Sequence, residues 1–148
     1  MSDKGLVEFL GGIDLFGGLS HRVLERVADQ GTMREFAPGA VLVAEGEAVS
    51  GFHAFNPRGA ELSVIRTGSA EVRIGGTVVT TVGPGEYVGE LSLVDGGPRT
   101  AEVTAGPDGV TAFALSKWAF EQLLDSHPEV AVPMLRVVVS RLREAERS

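Results

Sequence analysis

One segment decides how this chain is interpreted: GEYVGELSLVDGGPRTA, residues 85–101. Its glycine turn leads into a short amphipathic helical turn, Glu90 to Val94, and a second turn, Asp95 to Pro98, leads back into a strand. The first backbone N–H groups of a helical turn lack an internal partner and carry partial positive charge. Gly89 has no β-carbon, so an anion can approach those donors closely. The segment therefore predicts an anion-binding loop.

Two charged side chains accompany this predicted loop. Arg99 offers a planar fork of donors that suits a phosphate group. Glu90 would repel a phosphate, so we expect its carboxylate to accept a hydrogen bond from a hydroxyl of the same ligand. A ribose cyclic phosphate carries both groups.

These residues also resemble a known motif. The order GELSL at residues 89–93 and PRTA at residues 98–101 is similar to the phosphate-binding cassette of cyclic nucleotide-binding domains. Further fragments resemble successive landmarks of the same family, so the resemblance covers residues 13–147. The alternative is a polar barrel loop in which an exposed Glu90 and Arg99 pair with each other.

The composition is that of one globular domain of 148 residues. Its 20 glycines and 7 prolines favour short strands joined by tight turns. The net charge of -7 argues against a nucleic-acid-binding face. The absence of cysteine excludes disulfides, thiol catalysis and cysteine-ligated zinc. With no membrane-length apolar run and no signal-peptide pattern, we expect a cytoplasmic protein without membrane association.

Helices are predicted at the beginning of the chain. Glycine pairs break a short first helix within residues 5–18. Ser20 is expected to cap a second helix from His21 to Gln30, which Gly31 ends. The residues expected to face inward on this second helix are Val23, Leu24, Val27 and Ala28.

Helices are also predicted at the end of the chain. Ser116 is expected to cap a helix from Lys117 to Asp125. A last segment runs from Glu129 to about Arg147, where Pro133 either kinks it or begins a separate helix. The residues expected to supply apolar surface on these helices are Trp118, Phe120, Leu123, Leu124, Leu135, Val138, Val139 and Leu142.

The middle of the chain is predicted to be β structure. Gly75-Gly76 is a two-residue hairpin signal, Pro84-Gly85 fits a type II turn, and residues 106–109 are expected to join two strands. Strands at this spacing indicate a sandwich or barrel. The predicted strands are Met33–Ala37, Val41–Glu45, 62–65, Val72–Ile74, Val78–Val82, Ala101–Ala105 and Val110–Leu115.

The resemblance implies a mainly β fold with flanking helices: a β-roll, or jelly-roll-like barrel, with an N-terminal helix and C-terminal helices. We expect a single domain over 1–148, with helices in 1–31, the roll in 32–115 and helices in 116–148. Residues 51–60 add about one hairpin beyond the family's usual pattern. Both a longer surface loop and a flap over the ligand, with Phe52, Phe55 or Arg58 touching it, fit this insertion.

The resemblance also implies roles for the cassette. Glu90 would accept a hydrogen bond from the ribose 2′-hydroxyl, and Arg99 would pair with the cyclic phosphate. The backbone N–H groups of Leu91 and Ser92, together with Thr100, would complete the anion site.

The remaining contacts are expected around the base of the ligand. Gly89 would provide room beside the ribose, and the base would be buried against strand residues such as Val72 or Val88 and under the last helix. The resemblance implies that Thr100 permits cGMP without excluding cAMP, and we expect cAMP to be preferred.

We expect a sensor domain that switches its C-terminal helices on ligand binding and has no catalytic residues, metal site or cofactor. The three histidines, His21, His53 and His127, are too scattered for a metal-bearing barrel. The C-terminal helix is the expected contact for a homodimer or an effector protein. The alternatives are a ligand-free interaction scaffold and a sensor fragment of a larger transcription regulator. Because no helix-turn-helix follows the last helix, nucleic-acid binding by this chain alone is not expected.

Overall fold

The computed structural model describes residues 4–43, 61–89 and 101–147 and groups the chain into two compact units. The strand-containing unit, Gly31–Trp118, is called the roll unit below, and the helical unit combines Met1–Gln30 with Ala119–Ser148. The predicted insertion at residues 51–60 lies outside the described residues. The single-domain organisation stays a prediction.

The roll unit contains one bent antiparallel sheet. Two long strands, β3 and β6, pair with each other; one half of this pair is flanked by β1 and β5, and the other half by β2 and β4. This arrangement is a β-roll, so the predicted mainly β fold class with flanking helices is confirmed. The strands in the described residues are β1 (Thr32–Phe36), β2 (Val41–Val43), β3 (Glu61–Ile74), β4 (Thr77–Val82), β5 (Tyr87–Val88) and β6 (Glu102–Ser116).

Residues 106–109 do not join two strands, and that prediction is wrong. β6 is continuous through them, and both of its halves pair with β3. Between the pairs Gly68–Val110 and Ala70–Ala105, β3 advances by two residues and β6 by five. The extra residues form a bulge in β6, and a bulge bends the strand that carries it. The bulge lies where the flanking strands change from one half of the roll to the other.

Two glycines meet at this bulge. Gly68 has φ +84°, and a β-carbon on it would lie 2.0 Å from the carbonyl oxygen of Gly109. Gly109 itself has φ +73°, and its added β-carbon would lie 2.8 Å from the carbonyl oxygen of Phe36. The left-handed conformation and the close backbone approach therefore both require glycine at position 68.

The interior of the roll is an apolar cluster, called the inner cluster below. Because successive side chains of a strand point to opposite faces, its members identify the inward face of each strand. The inner cluster consists of Leu42, Ile65, Ala70, Val82, Val103, Ala105, Val110 and Ala112, with Phe36, Val72 and Val88 packed against it and partly buried.

The helical unit begins with two of the predicted helices. Helix α2 begins after Ser20, whose Oγ accepts a hydrogen bond from the backbone N–H of Val23 at 3.3 Å, so the predicted cap is confirmed. Its four predicted inward residues are all buried. The helices are α1 (Lys4–Gly11), α2 (His21–Gln30), α3 (Lys117–Ser126) and α4 (Ala131–Arg147), with 3-10 turns at Asp14–Phe16 and Pro128–Val130.

Helix α4 begins two residues before Pro133, which therefore lies in its first turn, where a missing N–H costs no internal hydrogen bond. Pro133 packs against Gly18, whose added β-carbon would lie 2.8 Å from the proline β-carbon. Arg141 also pairs with Asp14 at 3.3 Å. These contacts hold α4 against the turn that follows α1. None of the described helices has the length and apolar character needed to cross a membrane.

Candidate functional site

Two of the predicted ligand-binding residues, Val88 and Gly89, lie in the described part of the chain. Val88 ends β5, and Gly89 directly follows it. The structure therefore gives the approach to the predicted cassette. The predicted ligand-binding residues outside the described ranges are Glu90, Leu91, Ser92, Arg99 and Thr100, and their roles stay predictions.

The turn before β5 is fixed by several hydrogen bonds. The N–H of Glu86 donates to the carbonyl oxygen of Gly83 at 3.0 Å, and the carboxylate of Glu86 accepts from the N–H of Gly83 at 2.8 Å. Gly85 has φ +87°, as the predicted type II turn requires. The turn is anchored to β3 because Ile65 accepts from the N–H of Gly85 and donates to the carbonyl of Glu86, both at 2.9 Å. The turn before Gly89 is therefore hydrogen-bonded to the middle of β3.

Gly89 has φ +92°, in the left-handed region. A residue with a β-carbon would be strained there by about 1–2 kcal/mol. The glycine is thus required by the backbone itself, in addition to the room that we expect it to leave for a ligand. The chain leaves β5 through this residue in a direction that an ordinary extended residue would not give.

An apolar wall, defined as Val72 and Val88, lies at the edge of the inner cluster. Val72 on β3 and Val88 on β5 both pack against the inner cluster, yet each remains partly exposed. The two valines named as alternatives for burying the base therefore belong to the same apolar surface. Partly exposed apolar side chains at the edge of a core offer area that a flat ring can cover.

Thr80 is a further candidate for the site that no sequence signal identifies. It lies directly opposite Val72 in the pairing of β4 with β3, and Val82, two residues further along the same strand, belongs to the inner cluster. Thr80 therefore shares the inward face and remains exposed. Its hydroxyl can donate or accept a hydrogen bond at the edge of the apolar wall.

The inward face also carries a partly buried ion pair between β1 and β3. Nε of Arg34 lies 3.0 and 3.1 Å from the two carboxylate oxygens of Glu61, and Nη2 lies 2.5 Å from Oε2. Glu61 is only 7% exposed. This is a bidentate pair, the geometry in which an arginine and a carboxylate interact most strongly.

Arginines at two other places in the described residues have acidic neighbours. Arg73 donates to Thr104 at 2.9 Å and pairs with Glu71 at 2.7 Å. In the helical unit, a cleft of about 610 Å³ has two arginines and two acidic residues in its lining, so it gives an anion no net advantage. The lining of that cleft is Asp14, Arg136, Val137, Ser140, Arg141 and Glu144.

The C-terminal helices carry exposed apolar side chains. Trp118, expected to supply apolar surface on α3, is 68% exposed, whereas Phe120 and Leu123 of the same helix are buried. Helix α4 has only one buried residue, Met134. An apolar stripe, defined as Val132, Leu135, Val139 and Leu142, is exposed along this helix.

The described residues contain no group of three or more histidine, aspartate or glutamate side chains placed to hold a metal ion. Polar side chains on the inward face of the roll in these ranges include the Arg34–Glu61 pair, Ser63 and Thr80. Such a set can bind and orient a ligand.

Comparison with known proteins gives a consistent result. A family model described as a cyclic nucleotide-binding domain matches residues 33–127. Over 127 residues the chain is 34% identical to a cAMP-dependent protein kinase regulatory subunit of Mycosarcoma maydis, covering 79% of this chain and 22% of that protein. Over 148 residues it is 28% identical to a CRP-like cAMP-activated global transcriptional regulator of Mycobacterium tuberculosis, covering 95% and 60%. The chain thus spans less than two thirds of either relative.

A solved structure agrees with the roll as well. The N-terminal domain of a transcriptional regulator from Streptomyces coelicolor A3(2) superposes with a TM-score of 0.76 at 30% sequence identity. The superposition covers 95% of this chain and 96% of that domain.

Proposed function

Because the chain belongs to the cyclic nucleotide-binding domain family, we propose that it is a sensor that binds cAMP in preference to cGMP and has no catalytic activity of its own. The observation that carries the proposal is the match over residues 33–127, within which Gly89 opens the GELSL and PRTA motifs in a left-handed conformation. A small cytoplasmic second messenger and a cysteine-free chain fit a cytoplasmic location.

The proposed contacts begin with the two charged groups of the cassette. Glu90 accepts a hydrogen bond from the ribose 2′-hydroxyl, and Arg99 pairs with the cyclic phosphate. Leu91, Ser92 and Thr100 supply the remaining donors to the phosphate. Charge-assisted hydrogen bonds contribute about 1.5–3 kcal/mol each, so the two contacts of Glu90 and Arg99 give about 3–6 kcal/mol.

Micromolar binding requires about 8 kcal/mol, so burial of the base has to supply the difference. Val72 and Val88 form the surface that supports this role, because both pack on the inner cluster with part of their area still exposed. At roughly 25 cal/mol per Å², covering about 100 Å² of apolar surface contributes on the order of 2.5 kcal/mol. The hydroxyls of Thr80 and Thr100 would form hydrogen bonds with the polar edge of the base.

The proposal is tested by isothermal titration calorimetry of the full chain, at high protein concentration, with cAMP and with cGMP. We expect binding of both nucleotides, with the lower dissociation constant for cAMP. Arg99→Ala should weaken cAMP binding at least tenfold, because it removes a charge-assisted contact to the phosphate. Arg73→Ala is the matched control, since Arg73 is engaged by Glu71 and Thr104. Two flat titrations of folded wild-type protein would overturn the proposal, and wild-type affinity in Arg99→Ala would overturn the phosphate assignment.

We propose further that the C-terminal helices transmit the binding event, and that the stripe of α4 contacts a second copy of this chain. The stripe residues follow one another at intervals of three, four and three, the a/d spacing of a two-stranded coiled coil. In the same register Arg136 and Arg143 occupy e positions, while Val138 and Ala145 occupy g positions. An antiparallel pair would place arginines opposite arginines, whereas a parallel pair places them opposite neutral residues. The charges therefore favour a parallel homodimer, and an effector protein is the other outcome of its test.

A further inference from the structure

Helix α4 carries a line of arginines that the cyclic nucleotide proposal does not use. This basic ridge, defined as Arg136, Arg143 and Arg147, has intervals of seven and four residues. At 3.6 residues per turn, these intervals place the three side chains within about 40° of one another around the helix. All three residues are exposed. A helix rises about 1.5 Å per residue, so the ridge is about 16 Å long.

In the part of the chain that the structure describes, no carboxylate neutralises the ridge. Arg141, on another side of the helix, pairs with Asp14 at 3.3 Å, whereas the ridge arginines form no ion pair or side-chain hydrogen bond with a described residue. Glu144 and Glu146 of the same helix lie about a quarter of a turn to either side of the ridge. The ridge is interrupted only by the uncharged Ser140. Three positive charges therefore lie in one line with no acidic residue among them.

The proposed homodimer of α4 does not use the ridge either. In a parallel pair Arg136 and Arg143 occupy e positions opposite neutral residues, and Arg147 occupies a b position, further from the seam. Each helix of the pair would carry its own ridge beside the apolar stripe. The positive charges then remain available to a further partner.

The charge of the molecule indicates the kind of partner that fits. The net charge of the chain is -7, so the ridge is a local positive line on an acidic protein. A duplex nucleic acid or an anionic membrane extends beyond the ridge and would be repelled by the acidic remainder of the surface. A short acidic segment would meet the ridge alone. An extended segment advances about 3.3 Å per residue, so about six residues match the length of the ridge.

We propose that the basic ridge of α4 is a docking surface for a short acidic segment of a partner protein. The proposal does not depend on cyclic nucleotide binding, because the ridge lies outside the predicted cassette. Exposed ion pairs are individually weak and are screened by salt, so docking is a weak, salt-sensitive contact that depends on all three arginines acting together.

The test measures the fluorescence anisotropy of a labelled hexaglutamate peptide as the full chain is added at low ionic strength. We expect saturable binding that weakens as salt is added. The double variant Arg143→Gln with Arg147→Gln should weaken binding by about fivefold or more. The double variant Arg143→Lys with Arg147→Lys keeps both charges and should retain most of the affinity.

Ser140→Glu is an independent variant, because it blocks the ridge without removing an arginine. Its carboxylate would lie four residues after Arg136 and three before Arg143, the spacings at which side chains on one helix pair. It should therefore compete with hexaglutamate and weaken binding several-fold. Native mass spectrometry of the same variant checks that the oligomeric state is unchanged.

Helix α2 supplies the matched control. Arg22 and Arg26 are exposed and four residues apart, like Arg143 and Arg147, but Asp29 lies in line with them. The double variant Arg22→Gln with Arg26→Gln removes the same charge and should leave hexaglutamate binding unchanged. A hexaglutamine peptide is the neutral probe and should not bind.

The results support or overturn the ridge separately from the proposed function. Weaker hexaglutamate binding in the ridge variants, with the α2 variant unchanged, supports the docking surface. Three results overturn it: no binding to the wild type, equal weakening in the α2 variant, or tighter binding of a single-stranded hexanucleotide or of phosphatidylserine vesicles. If the ridge double variant does not fold, Ser140→Glu decides in the same way. A parallel titration with cAMP tests the proposed function alone, and its failure leaves the result for the ridge unchanged.

Discussion

Replacing Gly68 by alanine tests whether the bulge between β3 and β6 determines the stability of the roll. The substitution places a β-carbon 2.0 Å from the carbonyl oxygen of Gly109, which belongs to the backbone and has no rotamer to change. It also forces an L-residue into φ +84°. The left-handed conformation costs about 1–2 kcal/mol, and overpacking against fixed neighbours costs about 1–3 kcal/mol. We expect Gly68→Ala to lose roughly 2–5 kcal/mol of unfolding free energy.

Gly39 provides a matched control for this substitution. Its φ is +80°, close to that of Gly68, but no atom would lie within 4 Å of an added β-carbon. Gly39→Ala therefore reports the conformational cost alone, and the entropy that alanine removes from the unfolded chain is the same in both variants. The difference between the two variants isolates the steric cost at the bulge, about 1–3 kcal/mol.

Urea unfolding followed by circular dichroism measures both variants, with the slope m checked against wild type so that only stability is compared. For a domain of this size, a loss of 2–5 kcal/mol lowers Tm by roughly 5–15 °C. If Gly68→Ala unfolds at the same urea concentration as Gly39→Ala, the close approach of the two backbones does not constrain the roll, and the argument from the bulge is wrong.

Two further predictions concern the C-terminal helices. Leu135→Glu, which places a charge in the middle of the exposed stripe, should convert the proposed homodimer into a monomer in native mass spectrometry. The control is Ser140→Glu on another face of α4, which should leave the dimer intact. A wild-type monomer, with or without cAMP, would contradict the parallel pair. The single tryptophan, Trp118, is 68% exposed, so its fluorescence should shift or change intensity when cAMP binds if α3 moves. The Arg99→Ala variant should need at least tenfold more cAMP for the same change. An unchanged spectrum at saturating cAMP would contradict the movement of α3.

The features predicted correctly from the sequence are those that a few neighbouring residues determine. Ser20 caps α2 because its hydroxyl needs only the N–H three residues later. Gly75 and Gly76 form a hairpin turn because both adopt positive φ, which glycine permits in any context. The turn at Gly85 follows the same rule. These signals act locally, so neither the rest of the chain nor a ligand is needed to interpret them.

Residues 106–109 show where local signals stop being sufficient. Glycine, proline and aspartate are as suitable for a bulge as for a hairpin turn. The decision depends on β3, more than thirty residues earlier in the chain, which pairs with both halves of β6 and whose Gly68 permits the close approach of the bulge backbone. Sequence alone identifies an irregularity at this point, but the pairing partner determines whether the chain reverses or continues.

Thr80 was missed for the same reason, and the consequence reaches the candidate site. A regular hairpin closed by Gly75-Gly76 would place Val79 opposite Val72, but an extra residue in β4 shifts the pairing so that Thr80 occupies that position. One inserted residue reverses which side chains face inward. The edge of the apolar wall therefore carries a hydroxyl instead of a third valine, and a hydroxyl can distinguish the hydrogen-bonding edges of purine bases.

The Arg34–Glu61 pair lies furthest from any sequence signal, because its partners are separated by 27 residues and belong to no motif. Its position follows from two registers, that of β1 on β6 and that of β3 on β6, which place the small Ala114 between the two side chains on the inward face. A larger residue on this part of β6 would obstruct the path from Arg34 to Glu61. The motif that suggests a phosphate site is thus local, whereas the pairing of Arg34 with Glu61 depends on the packing of three strands.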